Sequence, residues 1–92
     1  MVKQKLFEKL KSLLIERGAR KVEVFGSYAK GKATPKSDID VIVEFRETQS
    51  LLDLVRIERE VSAALGIKVD LLTKGAISPY ILESIQKNKL VL

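Results

Sequence analysis

Hydrophobic spacing along this chain switches repeatedly between the 3.6-residue period of a helix and the two-residue period of a strand, and few architectures accommodate that alternation. Val2, Leu6, Leu10, Leu13 and Leu14 recur at helical intervals with lysines and glutamates between them, predicting an amphipathic helix over about residues 2–17 that Gly18 ends. Lys21 to Phe25 alternates as a strand, with Val22 and Val24 on one face, and runs directly into Gly26-Ser27. Residues 26–37 read as irregular. Beyond them Ile39, Val41, Val43 and Phe45 share one parity and Asp38, Asp40, Ile42 and Glu44 the other, so a second strand carries both aspartates on one face. Ser50 and Asp53 form a capping-box start for a second long helix with Leu54, Ile57, Val61 and Leu65 as its stripe, closed by Gly66. Ile67, Val69 and Leu71 alternate with Lys68, Asp70 and Leu72 as a third strand. Ser78 then caps a last helix through about Lys87, with Pro79 in its first turn. The expected fold class is α/β: a small three-stranded mixed sheet flanked by helices.

The length of 92 residues suits one domain, 1–92, and 46% hydrophobic residues can furnish a modest core. Cysteine and histidine are both absent, which removes disulfides, Cys/His zinc sites, thiol nucleophiles and imidazole acid/base chemistry. Chemistry is left to carboxylates, hydroxyls, lysines and bound ions. Lysines at 3, 5, 9 and 11 interrupt the N-terminus before a signal-type apolar run can build, and no stretch approaches a membrane span. A cytoplasmic location, with no membrane partner, is the expectation. Residues 1–36 carry ten basic against three acidic side chains, and residues 37–92 carry seven against nine. That asymmetry suits an anionic ligand between a basic rim and an acidic floor, although lysines that simply solvate the first helix explain it as well.

Only four aspartates occur, Asp38, Asp40, Asp53 and Asp70, and three of them lie in or at the start of apolar strands. An unpaired carboxylate there is costly to bury, and a cation, a hydrogen-bond network or solvent must relieve it. Asp53 is explained as a helix cap. Asp38 and Asp40 are roughly 7 Å apart along the backbone, close enough for their side chains to converge on one ion. Hard oxygen donors without His or Cys select magnesium or manganese. Asp70 could supply a third carboxylate if its strand is a neighbour; a solvent-facing acid pair is the alternative on the Asp-x-Asp pattern alone. Upstream, Phe25-Gly26-Ser27-Tyr28 follows a strand and can open a short helix, where free amides and the Ser27 hydroxyl would bind phosphate. Gly26, Gly31 and Lys32 also fit P-loop spacing, but Ala33 stands where the magnesium-ligating hydroxyl belongs and Thr34-Pro35 interrupts the required helix, so that reading fails.

Gly26-Ser27, ten intervening residues, Asp38-Ile39-Asp40 and a later strand with Asp70 together resemble the nucleotidyltransferase superfamily that includes DNA polymerase beta. The resemblance extends to its small stand-alone members, the minimal nucleotidyltransferases. Ser37-Asp38-Ile39-Asp40-Val41, Leu51-Leu52-Asp53-Leu54, Lys68-Val69-Asp70-Leu71-Leu72 and Ser78-Pro79-Tyr80-Ile81 look like successive blocks of that family. It implies a palm-like fold and nucleotide transfer from ATP or another nucleoside triphosphate. Mapped here, Asp38 and Asp40 would hold two Mg2+ ions, Asp70 would ligate the catalytic ion and help deprotonate the acceptor, and Gly26 with Ser27 would hold the terminal phosphates.

At 92 residues, the chain is not expected to include an acceptor-binding domain of its own. The family implies an antitoxin paired with a helical HEPN ribonuclease toxin in a hetero-oligomer, moving AMP onto a tyrosine of that toxin. One alternative is a catalytically vestigial antitoxin that neutralises its partner by contact, against which the three aspartates and Gly26-Ser27 count. Another is nucleic-acid binding through the basic first third, but aromatics make up only 5% and no RNA-binding signature occurs, so direct nucleic-acid binding is not expected. Tyr28 and Tyr80 read as packing or rim residues.

Overall fold

The computed structural model describes residues 2–26, 28–31, 38–73, 75, 77–86 and 89–92. Its elements are α1 (Val2–Glu16), β1 (Ala19–Phe25), β2 (Ile39–Phe45), α2 (Leu51–Leu65), β3 (Val69–Thr73), α3 (Pro79–Gln86) and β4 (Leu90–Val91). The strands form one sheet in the order β3-β2-β1-β4. β1 pairs antiparallel with β2 and with β4, while β2 and β3 run parallel, joined through α2 as the parallel geometry demands.

One face of this sheet is the core. Register sets Val22 opposite Val43 and Val24 opposite Val41, then Ile39 opposite Val69 and Val41 opposite Leu71. All seven side chains are buried, together with Leu10 and Leu14 of α1 and Ile57 and Val61 of α2. Each such burial contributes about 1.5–3 kcal/mol, so the helical stripes and the strand alternation stabilise the same interface. The opposite face holds the other parity: Phe25 opposite Asp40, Glu23 opposite Ile42, and Asp40 opposite Asp70.

α2 begins as its sequence predicts. Ser50 Oγ accepts from the Asp53 N–H at 3.1 Å, and Asp53 Oδ2 accepts from the Ser50 N–H at 3.3 Å, a complete capping box. Hydrogen bonding of the carboxylate to the Ser50 hydroxyl, and next to the Ser50 amide, holds the Asp53 carboxyl below its usual range. Further along, α2 covers the outer edge of β3. Ser62 Oγ accepts from the Val69 N–H at 2.9 Å and Glu58 Oε2 from the Leu71 N–H at 2.8 Å. Edge amides that would otherwise template another strand are thereby occupied, and the backbone on both sides of Asp70 is anchored.

The sheet differs from the three-stranded expectation by β4. The Glu23↔Val91 and Val24↔Leu90 pairs, with Leu92 N–H donating to the Val22 carbonyl at 2.9 Å, add a fourth strand along the free edge of β1. A segment this short has no periodicity to read; the unpaired edge of β1 supplies the reason it is extended. Among the described residues, no helix is long and apolar enough to cross a membrane.

Candidate active site

Three aspartates predicted as site residues meet on the open face of the sheet. Asp40 and Asp70 are direct partners in the parallel register of β2 and β3, so their side chains rise from the same face of neighbouring strands. Asp38, just before β2, shares Asp40's parity. The Asp38 and Asp70 side chains are 43% and 40% exposed, enough to be reached by a ligand. Burial pushes the Asp40 carboxyl above its usual range; the charge of Asp70, a hydrogen bond with the Asp70 side chain and the charge of Asp38 push it the same way. Two like charges so close resist simultaneous ionisation unless a cation is nearby.

Gly26 completes this end of the site. It follows β1, beside the Phe25↔Asp40 pair, and has φ +73°, a left-handed conformation that glycine adopts without strain. A Cβ at this position would collide with Asp40 Oδ2 and sit 3.4 Å from its Cγ. The glycine therefore lets the backbone pass against the carboxylate. Lys30 N–H donates to the Gly26 carbonyl at 3.1 Å, closing a single turn where the sequence suggested a short helix; residues 28–31 are turn, not helix. Ser27 lies outside the described residues. Tyr28 is buried and meets Phe7 edge-on at 6.4 Å between ring centroids, a packing role, whereas Tyr80 is 86% exposed.

Sequence reasoning missed a lysine in this cluster. Lys68 Nζ lies 3.9 Å from Asp38 Oδ2 and 4.0 Å from Asp70 Oδ1. Its signal was available, since Lys68 and Asp70 share a parity on β3 as Asp38 and Asp40 do on β2. The donor set is entirely oxygen, which suits magnesium or manganese. Among the described residues, however, no three acidic side chains form a ready-made metal cage. The charges of Asp38 and Asp70 are instead met by the Lys68 ammonium group.

The same face carries a second charged group. Glu23 is almost fully buried, with Lys89 Nζ 2.7 Å from Oε2 and Lys21 Nζ 3.8 Å from Oε1. Lys89, at 2.7 Å, is the nearest cation to Oε2 among the described residues and compensates its charge. A cleft of about 420 Å3 opens elsewhere, at the far ends of β2 and β3, lined by residues 43–49, Thr73 and Gly75. None of the aspartates lines it.

Residues 3–92 match the family model described as the nucleotidyltransferase domain. The chain belongs to this family. A protein of Methanocaldococcus jannaschii with the provisional name of a protein adenylyltransferase is 46% identical over 85 residues, covering 90% of this chain and 87% of its own. A solved structure provisionally named a minimal nucleotidyltransferase matches with a TM-score of 0.82 at 31% identity, over 98% of this chain and 95% of that one. A complex of a tri-AMPylated Shewanella oneidensis HEPN toxin with an MNT antitoxin matches with a TM-score of 0.78 at 21% identity, over 97% of this chain and 70% of that one, a likeness of fold. The nucleotidyltransferase thus has the fold that its sequence blocks imply, with one strand more than its periodicity predicts.

Proposed function

We propose that the protein is an antitoxin that transfers AMP from ATP to a tyrosine hydroxyl of a HEPN-type toxin, with which it forms a hetero-oligomer. The name of the relative from Methanocaldococcus jannaschii and the AMPylated toxin in the Shewanella oneidensis complex support this substrate and this partner. The observation that carries the reading is the Asp40↔Asp70 pairing with Asp38 alongside: three acids of one face, two of them in register, at the end of β1 where Gly26 abuts a carboxylate.

In this reading Asp38, Asp40 and Asp70 would hold two magnesium ions, and Gly26 with Ser27 would receive the terminal phosphates. The ions, when bound, neutralise the charge that develops on the attacking and departing oxygens of an in-line displacement at the α-phosphorus. Asp70 accepts the proton of the tyrosine hydroxyl as its oxygen bonds to that phosphorus, and pyrophosphate leaves. Asp40, partly buried and abutted by Gly26, fixes the position of the acid set.

Incubation with α-labelled ATP, magnesium and the product of the neighbouring gene tests the reading. Label should enter the partner, at tyrosine, with wild type and not with Asp40→Ala. Neutralisation of the partner without label, equal for both proteins, would establish the contact antitoxin instead.

A further inference from the structure

We propose that Lys68 is an internal counter-ion of the acid set, which holds Asp38 and Asp70 when no divalent cation is bound and must withdraw for one to enter. The inference rests on the metal-binding reading above and assigns to Lys68 a positioning role within it.

The backbone builds this arrangement. Ile39 N–H donates to the Lys68 carbonyl at 2.9 Å, which locks the residue before β3 against the start of β2. The register that sets Ile39 opposite Val69 and Asp40 opposite Asp70 therefore places Lys68 across from Asp38. Residues 68 and 70 share a parity, as do 38 and 40, so all four side chains emerge on the open face. The ammonium then stands almost equidistant from one oxygen of Asp38 and one of Asp70.

Two consequences follow from the chemistry. While Lys68 stands there, Asp38 and Asp70 each present an oxygen to it, and no three-acid cage is formed among the described residues. The Lys68 side chain is 69% exposed, so its four-carbon stem can swing into solvent without losing buried contacts. Its hold is thus weak enough to be exchanged for a divalent ion. An exposed ion pair changes an equilibrium by up to a factor of about five, and two such pairs by up to about thirty. Wild type should bind a free divalent ion less tightly than its three carboxylates allow.

Calorimetric titration of the full chain with manganese chloride at low ionic strength tests this, comparing wild type, Lys68→Gln and Lys68→Arg. Lys68→Gln should bind Mn2+ roughly 2- to 30-fold more tightly, and Lys68→Arg should stay close to wild type. In chelator, Lys68→Gln should melt below wild type, and saturating Mn2+ should raise its melting temperature by more. A lysine that only packs or solvates the surface would leave Mn2+ affinity unchanged or weakened on removal, and that result overturns the inference while the metal site stands. Uptake of Mn2+ by none of the three proteins overturns the metal reading and this inference together.

Discussion

Gly26→Ala should disable the site while leaving the core as stable as a control substitution elsewhere. Gly26 and Gly66 have nearly the same left-handed backbone, φ +73° and +71°, so alanine meets the same intrinsic strain at both, about 1–2 kcal/mol. Their surroundings differ. At Gly66 a Cβ finds nothing within 4 Å, whereas at Gly26 it collides with Asp40 Oδ2 and lies 3.4 and 3.7 Å from Cγ and Cβ of the same side chain. The end of an aspartate can rotate away at little cost in stability, so the two variants should melt within a few degrees of each other, each roughly 4–16 °C below wild type. Rotation moves the carboxylate by about 1 Å, and a misplacement of that size in a reacting site costs on the order of 100-fold in rate. Thermal melts paired with single-turnover label transfer, both corrected for folded fraction, read the two effects separately. Equal transfer rates for Gly26→Ala and Gly66→Ala would refute the role of the Gly26–Asp40 contact.

Asp40→Asn should raise metal-free stability at neutral pH while abolishing transfer. The folded-state pKa of Asp40 lies above its unfolded value, chiefly through burial and then through Asp70, so its favourable contribution is complete below the unfolded pKa and is lost as pH rises through the folded one. Above that window the wild type carries an ionised, repelled carboxylate that asparagine lacks. The variant should therefore melt higher near neutrality in chelator, and the gap should close below about pH 4; a variant less stable than wild type at neutral pH contradicts the argument. Lys89→Met removes the closest cation from the buried Glu23 and leaves Lys21 at 3.8 Å, which should destabilise the protein by about 3 kcal/mol. Adding Glu23→Gln should recover most of that loss in denaturant melts, and failure to recover it would mean that β4, not the charge, is what Lys89 secures.

Much of this molecule is local and therefore legible in its sequence. The stripe of Leu10 and Leu14, the capping box of Ser50 and Asp53, and Asp38 and Asp40 on one strand face all depend on neighbours within a few residues, where spacing and hydrogen-bonding chemistry decide the outcome. Other features depend on which segments pair. That Asp70 stands opposite Asp40, and not one residue away on the other face, follows from the β2–β3 register, which burial of Ile39, Val41, Val69 and Leu71 enforces across the sheet. Lys68 belongs to the acid set through the same register: the spacing places it on the face of Asp70, and only the pairing of β2 with β3 brings it to Asp38. Glu23 alternates with two core valines and so reads as solvent-facing, yet β4 and Lys89 close over it. Periodicity sets which face each residue occupies, because side-chain direction is a property of the local backbone. Long-range strand pairing decides which residues share that face, because it is chosen by the burial of the whole core.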